Sequence, residues 1–330
     1  MMSSELRFAV IGCGLIGEKR AKSALGQASI SVCCDSVPAK AEALARGHGA
    51  AVETNWQSAV VRDDVDAVFV CTTHNLLAPI AERAALHGKH VLIEKPGARR
   101  ACELDAVAAA ARKRGARVRV GFNHRYHRAF QKAREIYESG VAGDLLFIRA
   151  RYGHGGRIGY DREWRAIPEL SGGGEAIDQG IHLIDLARWF LGDLKFVSGR
   201  APTYFWNMPV EDNAFFLLET DSQQVAFLHA SWTEWRNLFS FEICGRMAKL
   251  EITGLGGSYG TERLAHYQML PEMGPPPATI YEFPMPDNSW ELELADFIND
   301  IRLGREPRPC IHDAQAALRL IEPLYAPAAR

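Results

Sequence analysis

The sequence predicts an α/β protein of two domains: a doubly wound parallel sheet, then an α+β domain on a mostly antiparallel sheet. Three observations carry that prediction. The chain has 330 residues, which suits two cores of roughly 150 residues better than one. From residue 6 to about 121, short apolar runs alternate with helix-like stretches. After residue 122 the pattern changes to strand candidates separated by turn signals, with only a few helices.

In the first half the strand runs are Arg7–Ile11, Ile30–Cys34, Ala67–Cys71, His90–Ile93 and Arg117–Gly121. Stretches such as AVFVC and VLI lack polar alternation, as expected of strands covered on both faces. Helices are expected between them, over 17–26, 38–47, 75–88 and 100–114. In the second half, helices over 127–139 and 175–191 flank a strand at Leu145–Tyr152. Further strands are expected over 195–206, 213–219, 223–233, 238–244 and 248–252, and 271–277 (PEMGPPP) reads as a loop. Two amphipathic helices close the chain, one carrying Leu294, Phe297, Ile298 and Ile301, the other Ala314, Ala317, Leu318 and Ile321. The expected domains are 1–121 and 122–330.

Composition narrows the function classes. Hydrophobic residues make up 47% and charged residues 24%, which excludes a disordered chain, a collagen-like fibre and a coiled coil. A net charge of −2 leaves no electrostatic footprint for nucleic acid or an anionic membrane. No apolar run approaches the ~18 residues that span a bilayer. The first strand run begins at Leu6 with no signal-like segment before it, so a cytoplasmic location is expected. Cys13, Cys33, Cys34, Cys71, Cys102, Cys244 and Cys310 are scattered and form no C-x-x-C pair, so they read as small hydrophobes and no metal is expected.

The segment FAVIGCGLIGEKRA places G-x-G-x-x-G at Gly12, Gly14 and Gly17, between the first strand and the first helix. In a dinucleotide site the first glycine permits the tight turn, the second lets backbone approach a pyrophosphate, and the third lets helix and strand pack closely. The intervening Cys13, Leu15 and Ile16 belong to the same cofactor loop, and the helix start offers N–H groups to phosphate. Asp35 ends the second strand. A carboxylate there accepts from ribose hydroxyls and repels a 2′-phosphate, so NAD is favoured over NADP, with nearby Lys40 able to relax the choice.

Two further segments carry chemistry. HVLIEKP (90–96) is a buried strand running into Lys95, whose backbone is restrained by Pro96, at the strand end where ligands of doubly wound sheets bind. SGGGEAIDQGIHLIDLARWFLG (171–192) has a glycine entry at Gly172, Gly173 and Gly174, then a helix with Asp178, His182 and Asp185 spaced as one polar seam. A structural hydrogen-bond network, a metal site lacking a recognisable third ligand, and an acid–base site compete for that seam. The accompanying dinucleotide site and Lys95 favour the third.

GCGLIG, CTTHN (71–75), EKP (94–96), VGFNHRY (120–126) and GGGEAIDQGIHLIDLARW (172–189), in that order, resemble the glucose–fructose oxidoreductase/inositol dehydrogenase (Gfo/Idh/MocA) family. The closing stretch 289–322 resembles that family's C-terminal end. The resemblance implies an N-terminal Rossmann domain and a C-terminal domain whose large open sheet joins subunits into a homodimer or homotetramer. By position it implies Lys95, Asp178 and His182 as catalytic residues, and Thr72, Asn75, Glu94 and Asn123 beside the cofactor. CTTHN departs from the usual pattern, which has proline at the position of Thr73 and histidine at that of Asn75, and this puts Asn75 in doubt.

The expected reaction moves a hydride between nicotinamide and a secondary alcohol or ketone of a sugar, polyol or sugar derivative. His182 is the candidate base, Lys95 stabilises alkoxide character, and Asp178 orients Lys95 or the substrate. Specificity is expected in 151–174, which holds Arg151, His154, Arg157, Tyr160, Trp164 and Arg165. Aromatic faces suit sugar C–H surfaces, and the arginines permit an acidic or nucleotide-linked sugar. Asn123, His124, Arg125 and Tyr126 are read as a polar wall of the same site, with Asn123 and Arg125 as substrate contacts. Tyr204, Phe205, Trp206, Phe215 and Phe216 read as sheet core or oligomer surface. A glycosidase of the same fold using bound NAD, and a non-catalytic NAD-binding regulator, are the alternatives.

Overall fold

Residues 5–272 and 274–326 are described in the computed structural model. The first strand, β1 (Arg7–Ile11), is buried from Phe8 onward and sits at the centre of a six-stranded parallel sheet. Around it the chain alternates as the apolar runs require: α1 (Leu15–Ser23), β2 (Ser29–Cys34), α2 (Pro38–His48), β3 (Ala51–Glu53), α3 (Trp56–Ala59), β4 (Ala67–Val70), α4 (His74–Leu86), β5 (His90–Glu94), α5 (Glu103–Arg114) and β6 (Val118–Gly121). Strand order is β3-β2-β1-β4-β5-β6, all parallel, and the order in which the chain adds strands reverses between β1 and β4. That reversal is where doubly wound sheets bind ligands. Local signals set the helix ends. Pro38 opens α2 and Gly49 closes it at φ +64°, while α5 has Glu103 and Asp105 in its first turn and Arg112–Arg114 in its last. The short β3 and α3 have no apolar periodicity long enough to announce them, and the sequence reading misses both.

The second sheet has eight strands. After α6 (Arg128–Glu138) come β7 (Leu145–Gly153), α7 (Pro168–Ser171) and α8 (Ile181–Leu191), then β8 (Lys195–Arg200), β9 (Asn213–Glu219), β10 (Val225–Ser231), β11 (Leu238–Gly245), β12 (Ala248–Thr253), β13 (Glu262–Gln268) and β14 (Ala278–Phe283). The order is β14-β13-β12-β11-β7-β10-β9-β8, antiparallel except for β7 beside β10. Alternation is clean: Ile148, Ala150, Tyr152, Phe216, Leu228 and Phe241 point inward, while Arg149, Phe227 and Glu242 point to solvent. The strand expected over 195–206 stops at Arg200 because Asp212 takes up the next segment. Its carboxylate accepts from the backbone N–H of Tyr204, Phe205 and Trp206 at 2.9, 2.7 and 3.0 Å. The β13–β14 hairpin is missed because ERLAHYQ carries charge and histidine on its inward face.

The chain closes with α9 (Ser289–Leu303) and α10 (Ile311–Ile321). Here the expected 122–330 domain needs correction, because Trp290–Leu318 packs with residues 5–122. Leu294, Phe297 and Ile298 enter the core of Phe8, Val10, Phe69 and Leu92. Fully buried Arg119 on β6 donates to Asp296 at 2.7 Å and Asp300 at 2.5 Å. One unit is therefore 5–122 with Trp290–Leu318, and the other is Asn123–Ser289 with 319–326.

Candidate active site

In the first unit each motif glycine has a separate geometric reason. Gly12 has φ +94°, and a Cβ there would lie 2.5 Å from the Cys71 carbonyl oxygen. A Cβ on Gly17 would overlap the Gly12 carbonyl. Gly14 caps α1, and a Cβ there would meet nothing within 4 Å. The middle position is thus open to approach at a helix N-terminus, where N–H groups lack intrahelical acceptors. Leu15 beside it is 68% exposed and Ile16 half-buried. Asp35 closes the loop from the next strand. Its Oδ2 accepts from the Cys13 N–H at 2.8 Å and its Oδ1 from the Val37 N–H at 2.9 Å. Each oxygen has lone-pair capacity for one more donor, so the carboxylate can hold the loop and meet a ribose hydroxyl together. These groups fit a dinucleotide. Contact with Cys33, together with burial, pushes the Cys13 thiol up.

Thr72 and Asn75 lie at the entry to α4, both half-buried. Thr72 Oγ1 donates to the Thr73 carbonyl at 3.2 Å, and Thr73 Oγ1 donates to Asn75 Oδ1 at 2.7 Å. Thr73, which replaces the usual proline, therefore holds Asn75 by a side-chain bond.

Lys95 follows the buried β5 directly and is half-buried, with a cis peptide to Pro96. Glu94, expected beside the cofactor, forms an ion pair. Arg20 Nε donates to Glu94 Oε1 at 2.6 Å, and its Nη1 donates to Glu293 Oε2 at 2.6 Å. Arg20 has no exposed surface and stacks on Trp290 at 4.4 Å. Burial opposes its charge, but Glu94 and Glu293 outweigh that and hold the guanidinium above its ordinary range. Sequence reasoning missed this network, although Gly17, Arg20 and Ala21 share the buried face of α1. Gly121 makes room for it, since a Cβ there would lie 2.5 Å from Arg20 Nη2.

In the second unit the predicted polar seam divides. One π-helical turn, Ala176–Gly180, precedes α8 and rephases it. Asp178 Oδ2 accepts from Arg165 Nε at 3.0 Å. Asp185 accepts a bidentate pair from Arg125 at 2.8 and 2.5 Å. His182 stacks on His124, centroids 3.7 Å apart and planes 17° apart. Arg125, expected at the substrate, is buried and paired with Asp185. Asn123 Nδ2 donates to Ser289 Oγ at 2.9 Å, and its Oδ1 meets His124 Nδ1 at 3.2 Å.

In the segment 151–174, Arg151 lies on β7 opposite Ser240 and is exposed. Arg157 is exposed and pairs with Glu163 at 2.6 Å. Arg165 is shared between Asp178 and Glu163 and stacks on Trp164 at 4.7 Å. Asp178, ahead of burial, sets the direction for Arg165, whose charge is held above its usual range. Tyr160 is buried and packs on fully buried Trp232 at 4.8 Å. Burial lowers the His154 pKa, and its Nδ1 accepts from the Gly156 N–H at 2.9 Å. Phe205 and Trp235, missed as a pair, meet edge-on at 4.8 Å and are exposed. Among the described residues no group of three or more His, Cys, Asp or Glu side chains could hold a metal.

Residues 6–122 match the oxidoreductase family with an NAD-binding Rossmann fold, and residues 130–251 match the GFO/IDH/MocA C-terminal domain. The D-glucoside 3-dehydrogenase of Escherichia coli (strain K12) is 33% identical over 273 residues, covering 75% of this chain and 77% of that protein. The chain belongs to the Gfo/Idh/MocA family. Inositol 2-dehydrogenase of Rhizobium meliloti (strain 1021) is 26% identical over 330 residues, 96% of this chain and 95% of that one. A solved oxidoreductase domain protein from Kribbella flavida superposes with TM-score 0.86 at 25% identity, covering 98% and 96%. A levoglucosan dehydrogenase in complex with NADH superposes at 0.87 with 22% identity, over 98% and 97%, which shows the shared fold. This Gfo/Idh/MocA protein is thus an oxidoreductase of a sugar and polyol dehydrogenase family.

Proposed function

We propose that the protein is an NAD-dependent dehydrogenase acting on a secondary alcohol of a neutral sugar or polyol. The observation that carries the chemistry is Lys95 at the carboxyl end of β5, in a chain that also supplies Asp178 and His182 at the start of α8. Asp35 at the glycine loop supports NAD, because a 2′-phosphate would meet its carboxylate. Gly12–Gly17 and Asp35 would hold the cofactor, which when bound supplies a hydride acceptor. Thr72 and Asn75 remain proposed cofactor contacts.

The chain's own groups handle the oxygen and its proton. Lys95 hydrogen-bonds the substrate hydroxyl and stabilises the charge that develops there. His182 takes the hydroxyl proton as the carbon is oxidised. Asp178 is fixed by Arg165 and orients the substrate. Trp164 offers an aromatic face for sugar C–H groups. A neutral substrate follows from the ion pairs: Arg157 and Arg165 already face Glu163 and Asp178, leaving their charge compensated. The names of two relatives, an inositol dehydrogenase and a glucoside dehydrogenase, agree with an uncharged substrate.

We also propose self-association through the outer face of the eight-stranded sheet, where Phe227 is 49% and Val197 50% exposed. The dehydrogenase reading is tested by NADH absorbance on a panel of polyols, free sugars, glycosides and uronic acids. Net NADH formation with neutral members supports it. Glycoside cleavage without net NADH overturns it in favour of a hydrolase that recycles its cofactor.

A further inference from the structure

His124 is part of no motif that the proposed chemistry uses, yet its ring is among the most constrained polar groups in the second unit. It is buried and lies face to face with His182, 3.7 Å between centroids and 17° between planes. Both ring nitrogens have partners. Nδ1 faces Asn123 Oδ1 at 3.2 Å, and that carbonyl oxygen can only accept, because the amide nitrogen of the same side chain donates to Ser289 Oγ. Nδ1 therefore carries the proton. Nε2 faces the Tyr152 hydroxyl at 3.2 Å. The plane of the ring is thereby fixed from two sides.

We propose that His124 is a positioning residue: a flat plate that sets the plane of the His182 ring for proton transfer. This rests on the reading of His182 as the proton acceptor. The other titratable groups around the pair are His127, edge-on to His124 at 5.4 Å, and Tyr152, with Tyr259 against its ring at 5.2 Å. Phe239 closes the same side at 6.4 Å. On the His182 side, Asp178 precedes it by one turn and is held by Arg165. A misplaced base loses rate without losing substrate affinity, so the effect falls on kcat rather than KM.

The test compares His124→Ala, His124→Phe and His124→Gln in the full chain with NAD+ and the best neutral substrate. His124→Ala is expected to lower kcat by about 10- to 100-fold with KM for NAD+ unchanged. His124→Phe restores a flat ring and recovers most of kcat, whereas His124→Gln, which can still reach the Tyr152 hydroxyl, does not. An unchanged kcat in His124→Ala, or rescue by glutamine equal to rescue by phenylalanine, overturns the proposal, as does rescue by neither. A second measurement needs no active variant. In wild-type protein with labelled histidine, the His182 ring protons, assigned by their loss in His182→Asn, are expected upfield from the ring current of the stacked neighbour. Their appearance at solvent-exposed positions overturns the stack. If the wild type turns over no sugar or polyol, the dehydrogenase reading fails separately, and the NMR measurement still decides whether His124 holds His182.

Discussion

Asp35 accepts the Cys13 N–H and so shapes the glycine loop. On the proposed reading the same carboxylate also meets the adenosine ribose. Replacing it with serine shortens the acceptor and removes the charge. For Asp35→Ser, kcat/KM with NAD+ is expected to fall and that with NADP+ to rise, changing their ratio by at least about tenfold, roughly 1.4 kcal/mol. Steady-state kinetics with both cofactors read this directly, and an unchanged ratio would remove Asp35 from cofactor choice. Gly12, Gly17 and Asp35 were legible in the sequence because each answers a local backbone demand. The partners of Arg125 and Tyr160 were not, since Asp185 and Trp232 lie 60 and 72 residues away in the chain. An arginine in a glycine-rich neighbourhood reads the same whether it meets substrate or a buried aspartate.

At the scale of elements, α1, β5 and α9 are joined by one buried guanidinium. Arg20 lies between Glu94, next to Lys95, and Glu293. Arg20→Met would leave two buried carboxylates facing each other without a cation, costing about 3–5 kcal/mol and lowering Tm. Gly121→Ala presses a methyl group onto the same guanidinium and is expected to cost about 1–3 kcal/mol. Denaturant melts check both, and a Gly121→Ala variant as stable as wild type would show that Arg20 has room to move. Strand and helix runs were readable from apolar periodicity, so β1, β2, β4, β5 and β6 appear close to where the sequence puts them. The π-turn was invisible, because an i, i+4, i+7 spacing assumes an unbroken α-helix. For that reason Asp178, His182 and Asp185 have three different partners rather than one shared seam.

For the whole molecule, the return of Trp290–Leu318 to the first unit ties the end of the chain to its beginning. The second unit offers its outer sheet face to solvent. His229 sits on that face, stacked on Phe215 at 4.2 Å and bonded through Nε2 to Asn213 Oδ1 at 3.0 Å. Burial, reinforced by Arg151, lowers its pKa to about 4. The folded state therefore stays neutral while the unfolded chain takes up a proton near pH 6.5, so the contribution is complete above that value and is lost as pH falls toward 4. His229→Gln is expected to flatten the decline of Tm between pH 6.5 and 4, and an identical decline would assign it to other groups. If the same face joins subunits, Phe227→Glu is expected to reduce the mass found by light scattering; an unchanged mass would place the interface elsewhere.

The account turns on Lys95 as the group that stabilises charge on the substrate oxygen. Its most direct test is NADH formation by wild type and Lys95→Ala on the same neutral polyol, with NAD+ binding measured in parallel. The expected result is a loss of kcat of about 10²-fold or more with the Kd for NAD+ little changed. Full turnover in Lys95→Ala, or loss of NAD+ binding that accounts for the whole defect, would contradict it.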